Sequence, residues 1–107
     1  MSKEKELVRK AFREAVLARD GQCVACMAYD KVSTKQGLVA HHITDRHEMP
    51  KGGYVEENGI ALCPGCHEKA EIYHKTEGAL YEKGFMPADL YRLIKSSAEK
   101  ARQADAD

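Results

Sequence analysis

Over residues 1–20, apolar side chains recur at spacings of three and four, at Leu7, Val8, Ala11, Phe12, Ala15 and Val16, with Lys, Arg and Glu between them. This is the periodicity of an amphipathic helix, and Gly21 after Asp20 supplies a stop. The pattern then shortens. Leu38-Val39-Ala40 and Gly59-Ile60-Ala61-Leu62 predict two short strands, separated by the breaker-rich run Met49-Pro50-Lys51-Gly52-Gly53, which predicts a loop. Helical spacing resumes at Pro64, with Ala70, Tyr73 and His74 following Cys66, and is interrupted at Gly78. A last helix is predicted from Pro87, burying Leu90, Leu93, Ile94, Ala98 and Ala101, with Gln103–Asp107 expected to fray. No internal repeat or low-complexity segment interrupts this order.

The expected fold class is α+β: a small core of two strands and a helix, flanked by N- and C-terminal helices. A length of 107 residues suits a single domain, divided into a helix at 1–20, a core at 21–77 and a helical segment at 78–107. With no Trp and two Phe, so small a core needs a covalent or metal staple. The longest apolar run, Ile60-Ala61-Leu62-Cys63, is far too short to span a bilayer, and Met1-Ser2-Lys3-Glu4-Lys5-Glu6 lacks the apolar core of a secretory signal. No membrane partner and a cytoplasmic location are expected. Seventeen basic residues balance seventeen acidic ones, so overall charge advertises no nucleic acid. The N-terminal segment is nonetheless slightly basic, through Lys3, Lys5, Arg9, Lys10, Arg13 and Arg19.

Four cysteines form two C-x-x-C pairs, Cys23-Val24-Ala25-Cys26 and Cys63-Pro64-Gly65-Cys66. Two residues between ligands let a tight turn present both sulfurs to one ion at about 2.3 Å, and two such knuckles complete a tetrahedral structural zinc site. A redox dithiol is the rival, but neither pair sits in a βαβ pattern, and disulfides are disfavoured without a secretory signal. The interval between the knuckles exceeds the about fifteen to twenty residues of a simple zinc ribbon, so something is inserted there.

Into that interval fall His41, His42 and His47, with His67 and His74 following the second knuckle. Adjacent residues on an extended chain point in opposite directions, so His41 and His42 can divide metal binding from proton transfer. His67 opens the helix after Cys66, and Asn58 before the second strand can hold a loop by hydrogen bonds to backbone.

The order Cys23-x-x-Cys26, His41-His42-Ile43, Asn58-Gly59-Ile60-Ala61-Leu62-Cys63-Pro64-Gly65-Cys66-His67 resembles the HNH endonuclease family over roughly residues 23–75. The resemblance implies a ββα-metal core with the four cysteines as a separate structural zinc site. It also implies metal-dependent hydrolysis of DNA phosphodiester bonds, by nicking or double-strand cleavage. His42 takes the place of the general base, Asn58 of the residue that positions it, and His41 and His67 of the ligands to a catalytic divalent ion.

Those roles agree with the chemistry of the residues. A neutral histidine can deprotonate water near pH 7, and a divalent ion with open positions can stabilise the transition state and leaving oxygen. Imidazole ligands suit softer ions, so activity is expected with Mg²⁺ or Mn²⁺ and tighter capture of Zn²⁺ or Ni²⁺. Glu71, four residues after His67, is a further candidate ligand. Arg46, Lys51 and His74 are candidate DNA contacts, with Asp45 and His47 in the same loop as Arg46. The alternative is a non-catalytic zinc-ribbon module that binds nucleic acid or protein. Neutral overall charge then hides a local separation: zinc on four thiolates carries minus two, a catalytic ion plus two. Lys31, Lys35, Arg46, Lys51, Lys69 and Lys75 are expected to attract DNA if they share a face.

Overall fold

The computed structural model describes residues 2–107. Helix α1 (Ser2–Asp20) ends where Gly21 adopts a φ of +67° and its N–H bonds to the Leu17 carbonyl at 2.8 Å. The chain passes the first knuckle in a short π-helical turn (Cys26–Asp30), then forms β1 (Val39–His42). Two single-turn 3-10 segments, Arg46–Glu48 and Glu56–Asn58, shape the connection to β2 (Gly59–Leu62). Helix α2 (Pro64–Lys75) follows, then α3 (Pro87–Leu93) and α4 (Ala98–Ala106). The α+β class is as expected, and β1 runs on through both histidines.

The strands pair antiparallel, Val39 with Leu62, Ala40 with Ala61, His41 with Ile60 and His42 with Gly59. Strand alternation sends the two sets of side chains to opposite faces. On one face Ile60 and Leu62 join a core with Ile43, Cys66, Ala70, Leu90 and Tyr91; on the other, Ala61 packs with Phe12 and Val16 of α1. The outer edge of β2 is closed by the end of α1. Asp20 accepts from the Ala61 N–H at 2.9 Å and Arg19 donates to the Gly59 carbonyl at 2.6 Å, so this edge is not left unpaired.

Three expectations need correction. The buried stripe of α1 is confined to its C-terminal half: Phe12 and Val16 are buried, whereas Ala11 is exposed and Leu7 and Val8 are 66% and 47% exposed. A helix of this length spans about 28 Å, and a four-residue strand covers only about 13 Å of it. The last helix is two: Lys95 takes a left-handed φ of +59°, Ser97 accepts the Lys100 N–H at 3.1 Å, and α4 starts anew. Ala98 is exposed as a result. Nor does the tail fray, because α4 runs to Ala106 and packs on the Glu56–Asn58 turn. Its Asp105, only 5% exposed, accepts the N–H groups of Lys51 at 2.6 Å and Gly53 at 3.1 Å. No helix among the described residues is long and apolar enough to cross a membrane.

Candidate active site and zinc centre

The zinc knuckles come from two different local structures. Cys23 and Cys26 flank the entry to the π-helical turn, where the Cys26 N–H points at the Cys23 sulfur at 3.5 Å. Cys63 and Cys66 lie at the start of α2, with Pro64 at its first turn. All four thiols are free and their sulfurs lie within 4.8 Å of one another, with Cys26 Sγ at 3.7 Å from both Cys63 Sγ and Cys66 Sγ. Sulfurs bound tetrahedrally at 2.3 Å sit about 3.8 Å apart, so the spacing fits zinc and is far too long for disulfides. Burial tends to raise the Cys63 thiol, but the Cys66 N–H and the neighbouring sulfurs bring it down to about 7. Burial, with the surrounding sulfurs, drives Cys66 the other way.

His41 and His42 occupy opposite faces of the sheet, as alternation requires. His41, 2% exposed, faces α2. Its Nδ1 lies 3.6 Å from Glu71 Oε2, and the donor atoms of His41, Glu71 and His74 all fall within 4.8 Å of one another. Burial, then the neighbouring histidines 74, 67 and 42, lower the His41 pKa to about 2, so it is neutral and the approach to Glu71 is no ion pair. A neutral imidazole keeps the lone pair that a metal needs. His74 donates through Nε2 to the His42 carbonyl at 2.9 Å, which leaves its Nδ1 unprotonated, with a lone pair to offer a metal. His67 stands one or two turns earlier on α2, its ring edge-on to His41 with centroids 5.2 Å apart, and is outside the converging group. The donor atoms that converge with that of His41 are thus those of Glu71 and His74. His74 belongs to this group, whereas the sequence offered it foremost as a DNA contact.

His42 faces α1. Its ring stacks on Phe12 with centroids 4.5 Å apart and meets Tyr54 edge-on at 4.8 Å. Its Nε2 is buried and has no hydrogen-bond partner among the described residues, an atom left uncommitted in a structure where buried polar groups are normally paired. Burial, then the charge of Arg46, lowers its pKa to about 4, so it is neutral at pH 7.

Asn58 is fully buried and fully used. Its Oδ1 accepts from the Thr44 N–H at 2.9 Å and the Tyr91 hydroxyl at 2.7 Å, while Nδ2 donates to the carbonyls of Thr44 at 3.1 Å and Gly53 at 3.2 Å. It ties the end of β1 to the start of β2 and to α3 at once. Its reach to His42 is through the backbone, since the Asn58 carbonyl accepts the Ile43 N–H at 2.9 Å. Tyr91 and Asp105, which sequence reading missed, complete this scaffold; neither belongs to a local motif that would have marked it.

His42 lines a cleft of about 400 Å³ together with Arg9, Phe12, Arg13, Arg46 and Tyr54. A second, of about 520 Å³, adjoins it through Arg9, Arg46 and Tyr54 and adds Lys5, His47 and Lys51. Arg46 donates to the Tyr54 hydroxyl at 2.9 Å and Arg9 at 3.3 Å. Burial works to raise the phenol, but these two guanidinium groups bring it below its ordinary value. Of the six basic residues expected to share a face, Arg46 and Lys51 line these clefts. Lys31 instead bonds its own turn at Ala28, and Lys69 lies over the Phe85 ring.

Residues 23–71 match the family model described as HNH endonuclease, and the four converging cysteines lie within the same stretch. Comparison with curated proteins gives no match, nor does comparison with solved structures. Helices α1, α3 and α4 lie outside the matched residues.

Proposed function

We propose that the chain is a metal-dependent endonuclease that hydrolyses DNA phosphodiester bonds, with His42 as general base. The observation that carries this reading is the division of labour across two adjacent strand residues. His41 joins Glu71 and His74 in a converging donor set on one side, and His42 presents an unpartnered Nε2 beside a basic cleft on the other. Two imidazoles and a carboxylate suit Mn²⁺, Zn²⁺ or Ni²⁺ better than Mg²⁺, and His67 is near enough to join after a small movement. A divalent ion held there supplies charge stabilisation to the scissile phosphate and the leaving oxygen.

The chain's own residues do the rest. His42, neutral at pH 7, accepts a proton from water at Nε2, while stacking on Phe12 and contact with Tyr54 limit the orientations of its ring. Asn58 holds the strand ends so that this geometry is set before substrate arrives. Arg46, beside His42, offers a phosphate oxygen a charged donor. Zinc at the four cysteines is structural in this reading and takes no part in the reaction.

The test is conversion of supercoiled plasmid to open-circle or linear DNA by zinc-loaded protein, without added metal and with Mg²⁺ or Mn²⁺. Divalent-dependent cleavage is expected in the wild type and loss of it in His42→Ala with zinc content and melting preserved. DNA binding without any cleavage would favour a non-catalytic module, and undiminished cleavage by His42→Ala would remove His42 as the base.

A further inference from the structure

The two clefts beside His42 form one groove, and one wall of it is α1, which the family match does not include. Along this groove the cations come from separate parts of the chain: Lys5, Arg9 and Arg13 from α1, Arg46 and Lys51 from the β1–β2 connection. Glu4 is the one carboxylate among the lining residues. Arg9 and Arg46 converge on a single uncharged oxygen, the Tyr54 hydroxyl, and neither has a carboxylate within ion-pair distance among the described residues. Arg13 forms no ion pair among the described residues either. Two guanidinium groups held side by side with no carboxylate in contact repel one another, and an anion between them relieves that repulsion.

We infer that α1 and the β1–β2 connection together form a DNA-backbone groove, in which Arg9 and Arg46 take one phosphate while Arg13 takes another. This deepens the endonuclease reading and rests on it for the identity of the strand as substrate. The phosphate is chosen because its oxygens accept planar, bidentate guanidinium pairs, and because successive phosphates match a line of separated cations better than a compact small anion does. The Tyr54 hydroxyl orients both guanidinium groups before the phosphate arrives, so less side-chain freedom is lost on binding. Net charge is zero over the whole chain, so the groove concentrates a positive field that the sequence as a whole does not carry.

The test measures binding of a short DNA duplex to full-length zinc-loaded protein without added divalent ions, over a series of salt concentrations, for wild type, Arg9→Gln, Arg13→Gln and Arg9→Lys. Arg13→Gln is expected to weaken binding and to lower the slope of log affinity against log salt by about 0.9, the value for one lost phosphate contact, and Arg9→Gln to weaken binding with a smaller fall in slope, because Arg46 still holds the shared phosphate. Arg9→Lys is expected to keep the wild-type slope, because it keeps the charge. A structural role would shift the melt without moving the slope, so melting is recorded for each variant. Lys83→Gln, on a residue that lines neither cleft, is the control. Unchanged slopes in both Gln variants, or an equal fall in Lys83→Gln, would overturn the groove. Because no turnover is involved, binding with the expected slopes but no cleavage would remove the nuclease reading and leave the groove standing. Cleavage with slopes indifferent to both arginines would do the reverse.

Discussion

The ring of Phe12 lies flat against that of His42, with centroids 4.5 Å apart and planes inclined by 29°. A residue of the N-terminal helix thereby sets the position of a residue in the stretch that matches the HNH endonuclease model. Phe12 is also the largest side chain of the minor core, packed with Val16 and Ala61. Phe12→Ala is expected to destabilise the protein by about 3 kcal/mol in denaturant titration. It is also expected to lower the cleavage rate at temperatures where the variant is still folded, because the imidazole then samples more than one orientation. The absence of Cβ at Gly59, opposite His42, serves the same packing, since a methyl there would come within 2.8 Å of the Phe12 ring. Gly59→Ala is accordingly expected to cost about 1–3 kcal/mol.

The convergence of His41, Glu71 and His74 ranks the candidate metal ligands. In titrations of zinc-loaded protein with Mn²⁺, Glu71→Gln and His74→Ala are each expected to weaken binding on the order of tenfold or more, the loss seen even for outer-shell partners. His67→Ala is expected to weaken it less. The reverse ranking would show that His67 moves in to displace His74.

Asp105 reaches from α4 to the backbone of the loop that precedes Asn58. Its removal leaves two N–H donors without their acceptor, one of them buried, at a cost of about 2 kcal/mol. Asp105→Ala, or truncation after Arg102, is expected to show that loss in urea titration and to increase hydrogen exchange at Gly53 and Asn58. An unaltered exchange pattern would mean that the loop is held without α4.

Acid destabilises the fold through its buried histidines. Burial lowers the pKa of His41 to about 2 and of His42 to about 4, below the ordinary value of 6.5 that applies once the chain unfolds. Between pH 6.5 and about 4 the unfolded chain therefore binds protons that the folded chain refuses, and stability falls as pH falls. Above pH 6.5 both states hold these rings neutral and the contribution is flat. His42→Gln is expected to show a shallower decline of melting temperature over that window than the wild type.

Zinc carries the remaining test. Zinc binding couples to folding in small domains with apparent free energies of about 10–16 kcal/mol, and both knuckles here border the main core through Cys23 and Cys66. Cys63→Ser, or removal of the metal by a strong chelator, is expected to abolish the cooperative melt seen by circular dichroism. A cooperative melt at the wild-type temperature after stripping would refute the structural role.

The helix, two strands and helix, and the thiolate knot were legible because each is written in local spacing. The C-x-x-C pairs put two sulfurs on one turn, and the continuous apolar run Gly59–Leu62 reads as a strand, which the structure buries along its whole length. His41 and His42 were legible as a divided pair for the same reason, since strand alternation is a property of the backbone. Boundaries set by partners were not. The break at Lys95 rests on a left-handed residue, and the order of the tail rests on Asp105 meeting a loop far from it in sequence.

Sequence by itself determined most of the elements, the paired cysteines and the two adjacent histidines on opposite faces of a strand, because short-range geometry depends only on neighbours along the chain. Tertiary structure alone decided which helical side chains meet His41, that Phe12 seats His42, and that Arg9 and Arg46 converge on Tyr54. Those pairings depend on how α1 and α2 cross the sheet, and the crossing is set by packing between residues tens of positions apart, which no local pattern records.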